Sequence, residues 1–350
     1  MSAAPIRTWL NRQRLPLAIL LGASLLFCAL VSTFADQSSY PVRVIVLLGI
    51  NIILVVALNL SNGFTGVFSL GHVGFMAIGA YVSSILSLTL ETKAENLPDL
   101  PAWMAHVQFG FVPALLTAGL IAAIIAWLIG IPLMRLSGHY VSVATLGFLV
   151  IVHIVLINWT QFTRGARTFS GVLQYTTLWW VYVWLLITIY VVWRVVNSPY
   201  GRMLLAVRED SIAAKVVGID ILNARLLAFV ISAFLTAVGG GLMAHYLTSF
   251  SPATFYFTAT FNYIIMLVVG GMGSISGSVL GTCVVTLLSE LLRNAENGIH
   301  LGALKLPPVY GISQIILAVV FVLIVNLRRE GLMGGREINW ARLFRMEAPT

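Results

Sequence analysis

The sequence predicts an all-α integral membrane protein of about ten transmembrane helices, some of them broken, with both termini cytoplasmic. Three observations carry that prediction. The 350 residues are 59% hydrophobic and only 9% charged, with mean hydropathy +0.96, whereas soluble domains are nearer a quarter charged. The apolar residues gather in runs that match a hydrocarbon core of roughly 30 Å, which takes about 20 helical residues to cross. Basic residues lie mostly between alternate pairs of those runs. Lipid leaves no backbone group to be satisfied by water, so helices are expected rather than open strands. The alternation of an outer-membrane barrel is missing.

The spans fall at roughly 17–35, 42–60, 72–90, 110–134, 138–158, 177–196, 225–247, 255–270, 276–293 and 310–327. Arg7, Arg12 and Arg14 precede the first, and Arg135 follows the fourth. Arg194, Arg202, Arg208, Lys215 and Arg225 surround the loop after the sixth, and Arg328, Arg329, Arg336, Arg342 and Arg345 follow the last. With both ends inside, all of these are cytoplasmic, as the positive-inside rule requires. The outer side holds acidic and basic residues in equal number, so the net charge of +8 lies at the inner membrane face and no nucleic acid is implied. Eight spans would also leave both ends inside.

The chain divides into a cytoplasmic segment at 1–16, a membrane domain at 17–327 with a cytoplasmic loop at 197–225, and a basic tail at 328–350. The first apolar stretch is longer than a usual signal-peptide core, so a retained helix is expected. In the tail, Trp340 and Phe344 are placed to enter the headgroups of membrane lipid while the arginines meet anionic lipid. The outer loop at 91–108 contains Pro98 and Pro101, which argue against continuous helix. Cys28 and Cys283 both lie in apolar runs, so neither a disulfide framework nor a cysteine metal cluster is implied.

Three spans are interrupted by glycine and small polar residues, at 61–81, 135–148 and 268–282. The first and third resemble each other, and paired broken helices in two halves point to a transport fold built from repeats. Small residues also simply let helices pack closely in lipid. The polar residues beside the breaks, Asn62, Ser69, His72, Tyr140, Thr145 and Ser274, are the candidates for a translocation pathway. His72 is placed either to touch a solute or to hydrogen-bond a freed carbonyl. His153 lies mid-span, and His245 and Glu290 near helix ends fit a wet interface.

No span carries a converging catalytic set. HExxH, CxxC and Gly-x-Ser-x-Gly are missing, and Lys93, Lys215 and Lys305 are not preceded by glycine, so there is no phosphate-cradling loop. No cofactor is called for. Carboxylates do not run through any span as a proton relay, so energy for uphill movement must come from a partner on the cytoplasmic side. The loop between the sixth and seventh spans is the place for it, since an ordered amphipathic segment there implies that something docks.

NGFTGVFSLGHVGFMAIGAY at 62–81, Leu-Ser-Gly-x-Tyr with Thr-Leu-Gly-Phe at 136–148, YGRMLLAVREDSIAAKVVGID at 200–220 and LVVGGMGSISGSVLGT at 267–282 stand in one order. Together they resemble the permease subunits of branched-chain amino-acid ABC importers, of the LivM-like type. That resemblance, over about 40–330, implies a second related permease, two cytoplasmic ATPase subunits and an extracytoplasmic solute-binding protein. It also implies an inner-membrane location and no enzymatic activity of the chain itself. Relatives carry leucine, isoleucine and valine, or urea, short amides and other amino acids.

In that light 209–218 looks like the coupling helix of importer permeases. Ala213, Ala214 and Gly218 stand at the Ala-Ala…Gly positions, and Arg208, Glu209 and Asp210 are placed to fix its register. About ten helical residues would give a ridge of roughly 15 Å. His139, Val150 and His153 depart from the family pattern, as does the basic outer turn Thr163–Arg167. The rival from another class, a stand-alone secondary transporter or channel, would need an ion-coupling carboxylate within a span, and none is deep.

Overall fold

The computed structural model describes residues 39–136, 138–296, 300–301, 304–305, 311–328, 330–334 and 337. The expected span at 17–35 and most of the tail beyond 328 lie outside them. In chain order the helices are α1 (Tyr40–Asn62), α2 (His72–Ser87), α3 (Leu90–Asn96), α4 (Ala102–Ala105), α5 (Phe111–Met134), α6 (His139–Asn158) and α7 (Thr160–Thr163). They continue as α8 (Leu178–Val196), α9 (Pro199–Glu209), α10 (Ser211–Val216), α11 (Ile221–Leu247), α12 (Phe257–Gly270), α13 (Ile275–Glu296) and α14 (Ile312–Leu327). A 3-10 turn at Pro252–Phe255 leads into α12, and His300–Leu301 pairs antiparallel with Leu304–Lys305.

Among the described residues seven helical stretches are long and apolar enough to cross a membrane: α1, α5, α6, α8, α11, Pro252–Gly270 and Ile275–Arg293. The stretch expected as a span at 72–90 is instead a bent pair. α2 and α3 meet at 119° and make an eighth crossing if counted together. The bend has a local cause, since Leu88 is extended and the Thr89 hydroxyl accepts the Thr92 N–H, capping a new helix in a new direction. α14 is only 16 residues long.

α1 and α11 form the centre. Each has 78% of its apolar window buried, against 22% for α8 at the periphery. α11 packs on α1, α2 and α5, α1 also packs on α8 and α13, and α12 pairs with α13. The α2–α11 contact is backbone on backbone. A Cβ on Gly240 would fall 2.1 Å from the Met76 carbonyl oxygen, and one on Gly79 would fall 2.0 Å from that of Ala237. Only hydrogen fits at this crossing, which is how helices approach closely when lipid offers no hydrophobic drive.

The connections sort onto two faces. On one, Arg208 reaches Gly63, Ser142 reaches Phe68, and Glu337 reaches Ile275. Arg135, Arg194, Arg202, Lys215, Arg225 and Arg328 belong to the same face. On the other, Phe169 pairs with Phe250 through their backbones, and Glu290 near the end of α13 binds Tyr40 at the start of α1 and Arg293 at 2.5 Å. There too Lys93 is buried, its ammonium donating to the carbonyls of Met104 (3.4 Å) and Val107.

Gly240→Ala should press on the Met76 carbonyl and lower stability by about 1–3 kcal/mol. Gly147→Ala, where a Cβ meets nothing within 4 Å, should leave the thermal midpoint of the detergent-solubilised protein unchanged. Equal midpoints for the two variants would contradict the backbone contact.

Candidate functional site

A tight connection between two membrane helices frees backbone donors and acceptors that must find partners when they are buried in the protein. Two such breaks lie on the basic face: residues 63–71 between α1 and α2, and 271–274 between α12 and α13. Two amides one turn apart on α1 satisfy them. The Asn62 side chain donates to the Ser69 carbonyl (3.0 Å) and accepts the Ser69 N–H (3.1 Å). The Asn59 side chain donates to the Ser274 carbonyl (2.9 Å) and accepts the Gly273 N–H (2.9 Å). Both asparagines are buried. One helix thus clamps its own break and a break more than 200 residues away in sequence.

Further side chains complete the first break. Thr145 Oγ1 on α6 accepts the Leu70 N–H at 3.0 Å, and Ser142 Oγ donates to the Phe68 carbonyl at 2.6 Å. His72 is buried, with Nδ1 3.0 Å from Ser69 Oγ and Nε2 2.7 Å from Ser232 Oγ on α11. Ser232 donates its proton to the Ala57 carbonyl at 2.5 Å. Nε2 must therefore carry the hydrogen it gives to Ser232, and through these contacts the ring joins α1, α11 and the break.

The second break is also held from the tail. The Glu337 carboxylate accepts the N–H groups of Ile275 (2.6 Å) and Ser276 (3.2 Å) and the Ser276 hydroxyl (2.6 Å). It caps α13 where a carboxylate suits both the free donors and the helix dipole. The backbone of Leu332 and Met333 donates to the Val269 and Gly270 carbonyls at the end of α12. The sequence reading, which laid the tail along lipid, missed this contact.

Five of the six pathway candidates gather around these breaks: Asn62, Ser69, His72, Thr145 and, through Asn59, Ser274. Tyr140 does not, being 74% exposed at the start of α6. Ser69 and His72 also line a small pocket between α1, α2, α11 and α12, with Leu58, Met76, Tyr263 and Thr236, whose buried hydroxyl has no hydrogen-bond partner among the described residues. Two other histidines depart from their sequence placement or add to it. His245, expected at a wet interface, is fully buried, with Nδ1 3.0 Å from the Leu173 carbonyl oxygen and Nε2 3.3 Å from Ser87 Oγ. His153 stacks on Tyr256 with ring centroids 3.8 Å apart.

The loop after α8 is two helices, not one. Ser198 caps α9 and Pro199 opens it. Asp210 is extended, and its carboxylate accepts the N–H groups of Ile212 (2.8 Å) and Ala213 (3.0 Å), starting α10. The ridge expected over 209–218 is therefore shorter: α10 spans six residues, about 9 Å, because the cap at Asp210 ends one helix and begins the next. Glu209 closes α9. Gly218, at φ +87°, takes the left-handed position that terminates the ridge. Ala214 points inward, in an apolar cluster with Leu204, Val207 and Ala224, while Ala213 faces out. The outward surface also carries side chains that the sequence reading passed over: Ile212, Val216 and Val217 are 77%, 84% and 81% exposed. Branched apolar residues on a charged loop were the available signal.

Asn59→Leu keeps the volume but strands the Gly273 N–H, while the Ser274 carbonyl keeps its bonds from Ser278, so it should cost about 1–3 kcal/mol. Asn158→Leu, which removes only a bond within an exposed helix end, should cost far less. Thermal unfolding of both variants checks this, and similar losses would show that the clamp contributes nothing. His72→Leu should likewise lower the unfolding midpoint, by leaving Ser69 and Ser232 short of a partner.

Residues 40–325 match the family described as "Branched-chain amino acid transport system / permease component". The Escherichia coli K12 "High-affinity branched-chain amino acid transport system permease protein LivM" is 30% identical over 291 residues, covering 73% of this chain and 64% of that protein. The Methanocaldococcus jannaschii "Probable branched-chain amino acid transport permease protein LivM" is 26% identical over 324 residues, covering 83% and 92%. A shorter stretch of 123 residues is 29% identical to the Haemophilus influenzae "Ribose import permease protein RbsC", covering 33% and 36%. No solved structure matches the chain. The chain is thus a membrane protein of the branched-chain amino-acid transport permease family, a family of transport components rather than enzymes.

Proposed function

We propose that this chain is the membrane-spanning subunit of an ATP-driven importer in the inner membrane, moving a branched-chain amino acid handed over by an external solute-binding protein. A second related permease completes the pore, and two cytoplasmic ATPase subunits drive it. The chain crosses the membrane about ten times, with both termini and the α9–α10 segment cytoplasmic. The concentration of basic residues on the face that carries α10 supports this orientation.

One observation carries the reading beyond the family match: the exposed ridge of Ile212, Val216 and Val217. Apolar side chains this exposed at a water-facing loop favour burial against a partner. α10 is narrow enough for a groove, Ala213 admits close approach, and Gly218 ends the ridge sharply. Glu209 and Lys215 flank it with opposite charges and bias its orientation against the partner. Asp210 serves the ridge by capping it.

Ser69 and His72 are the side chains we place beside the solute, because they border the pocket between the broken and unbroken spans. Asn62, Thr145 and Ser274 hold the backbone at the cytoplasmic end of that route, and Tyr140 lies at its inner margin. A permease for urea or short amides would use the same architecture, with the binding protein choosing the solute. A secondary transporter would need a buried coupling carboxylate, and among the described residues no Asp or Glu is buried.

Ile212→Asp combined with Val216→Asp should lower the ATPase recovered with the tagged chain by about tenfold or more, the loss of a central apolar anchor. Ala213→Arg should act in the same direction, and Lys215→Ala should change recovery little. Full recovery with the double variant would refute the docking surface.

A further inference from the structure

We propose that Arg208 is a positioning residue that ties the docking ridge to both breaks at once, so that movement of α10 is coupled to the two breaks by this side chain as well as by the apolar packing around it. The inference rests on α10 being the ATPase-docking ridge, and it removes Arg208 from the set of residues that touch the ATPase.

Arg208 lies in the last turn of α9, two residues before the Asp210 cap of α10. Its Nη1 donates to the Gly63 carbonyl, just past the end of α1, at 2.8 Å. A cation there also meets the negative end of the α1 dipole. The stem crosses Gly66, where a Cβ would sit 3.1 Å from Arg208 Cγ. The guanidinium covers Gly273 in the second break, where a Cβ would sit 2.2 Å from Nη1. One side chain therefore fills the space between 63–66 and 271–274. Gly66 and Gly273 have φ of +71° and +84°, a region that side chains other than glycine rarely enter.

The mechanical case follows from what surrounds it. Ala214 of α10, Leu204 and Val207 of α9, Leu60 at the end of α1 and Ile275 at the start of α13 belong to one buried cluster. A single extended residue separates α9 from α10, so the two helices cannot shift far apart. The breaks are the points where the membrane helices lack continuous backbone hydrogen bonding, and they bend more readily than the intact spans. Their own clamps, Asn59 and Asn62, sit on α1 and share no atom with α10. Arg208 carries a hydrogen bond from the ridge segment to the Gly63 carbonyl, next to Asn62 in the chain.

The test uses this chain co-expressed with its partner permease, ATPase subunits and binding protein, purified through a tag on this chain and reconstituted in vesicles. Three quantities are read: ATPase retained, ATP hydrolysis with and without leucine-loaded binding protein, and leucine accumulated per ATP. Arg208→Met keeps the stem and removes the donors. It should retain the ATPase, lose the stimulation by loaded binding protein, and lower leucine per ATP by about fivefold or more, the scale of a coupling between sites. Arg208→Lys restores one donor and should recover part of that ratio, which a purely structural loss would not predict. If Arg208→Met leaves the ratio and the stimulation unchanged while ATPase is retained, the positioning role is wrong and the docking reading survives. Loss of the ATPase itself would place Arg208 in the docking surface and overturn the inference. If the unaltered complex retains no ATPase, both readings fall. Should Arg208→Met not reach the membrane, Arg208→Gln, with the same outcomes, decides.

Discussion

Two buried amides hold this protein's membrane helices in their broken form. Asn59 and Asn62 each give one donor and one acceptor to backbone at the breaks, where a buried polar group left without a bond is costly. A carboxamide suits the task because it matches a peptide group in both polarity and geometry while staying uncharged. The spacing of three residues puts the two amides one turn apart on the same side of α1, where Asn62 meets one break and Asn59 the other. Without them the Ser69 N–H and carbonyl and the Gly273 N–H would lose these partners. The rest of the basic face is built outward from this point.

That arrangement leaves the structure tight where it is glycine-rich and polar where it is broken. At the α2–α11 crossing the backbones touch and nothing can slide without separating the pair. At 63–71 and 271–274 the contacts are hydrogen bonds from side chains, which allow rotation with less loss of packing. Glu337 and Arg208 approach the same region from the tail and from the α9–α10 segment. A translocation route beside the pocket at Ser69 and His72 would open by bending at the breaks and not by parting the core.

Much of this was legible in the order of residues. The apolar runs predicted the spans because lipid imposes a length, and the arginines predicted their orientation because translocation of basic loops is disfavoured. The glycine clusters marked the breaks. What escaped was where each polar side chain ends up. Asn59 was hidden inside an apolar run, and nothing local shows that its partner is Gly273. Glu337 was read as part of a surface tail, since a cap supplied from a distant segment has no sequence spacing. His245 has the same composition around it as an interfacial histidine, yet it faces the Leu173 carbonyl in the interior.

By itself, then, the chain's order determined a helical membrane protein, most of its apolar helices, the places where helices stop, and the family it belongs to. These follow from hydrophobic length, charge asymmetry and backbone freedom, which are local properties. The tertiary structure decided the bend at Leu88, the short ridge with its exposed valines, the use of Arg208 inside the subunit, and the clamp that joins two distant breaks. Those depend on which buried donors and acceptors meet across helices, and that pairing is a property of the packed fold, not of any one segment.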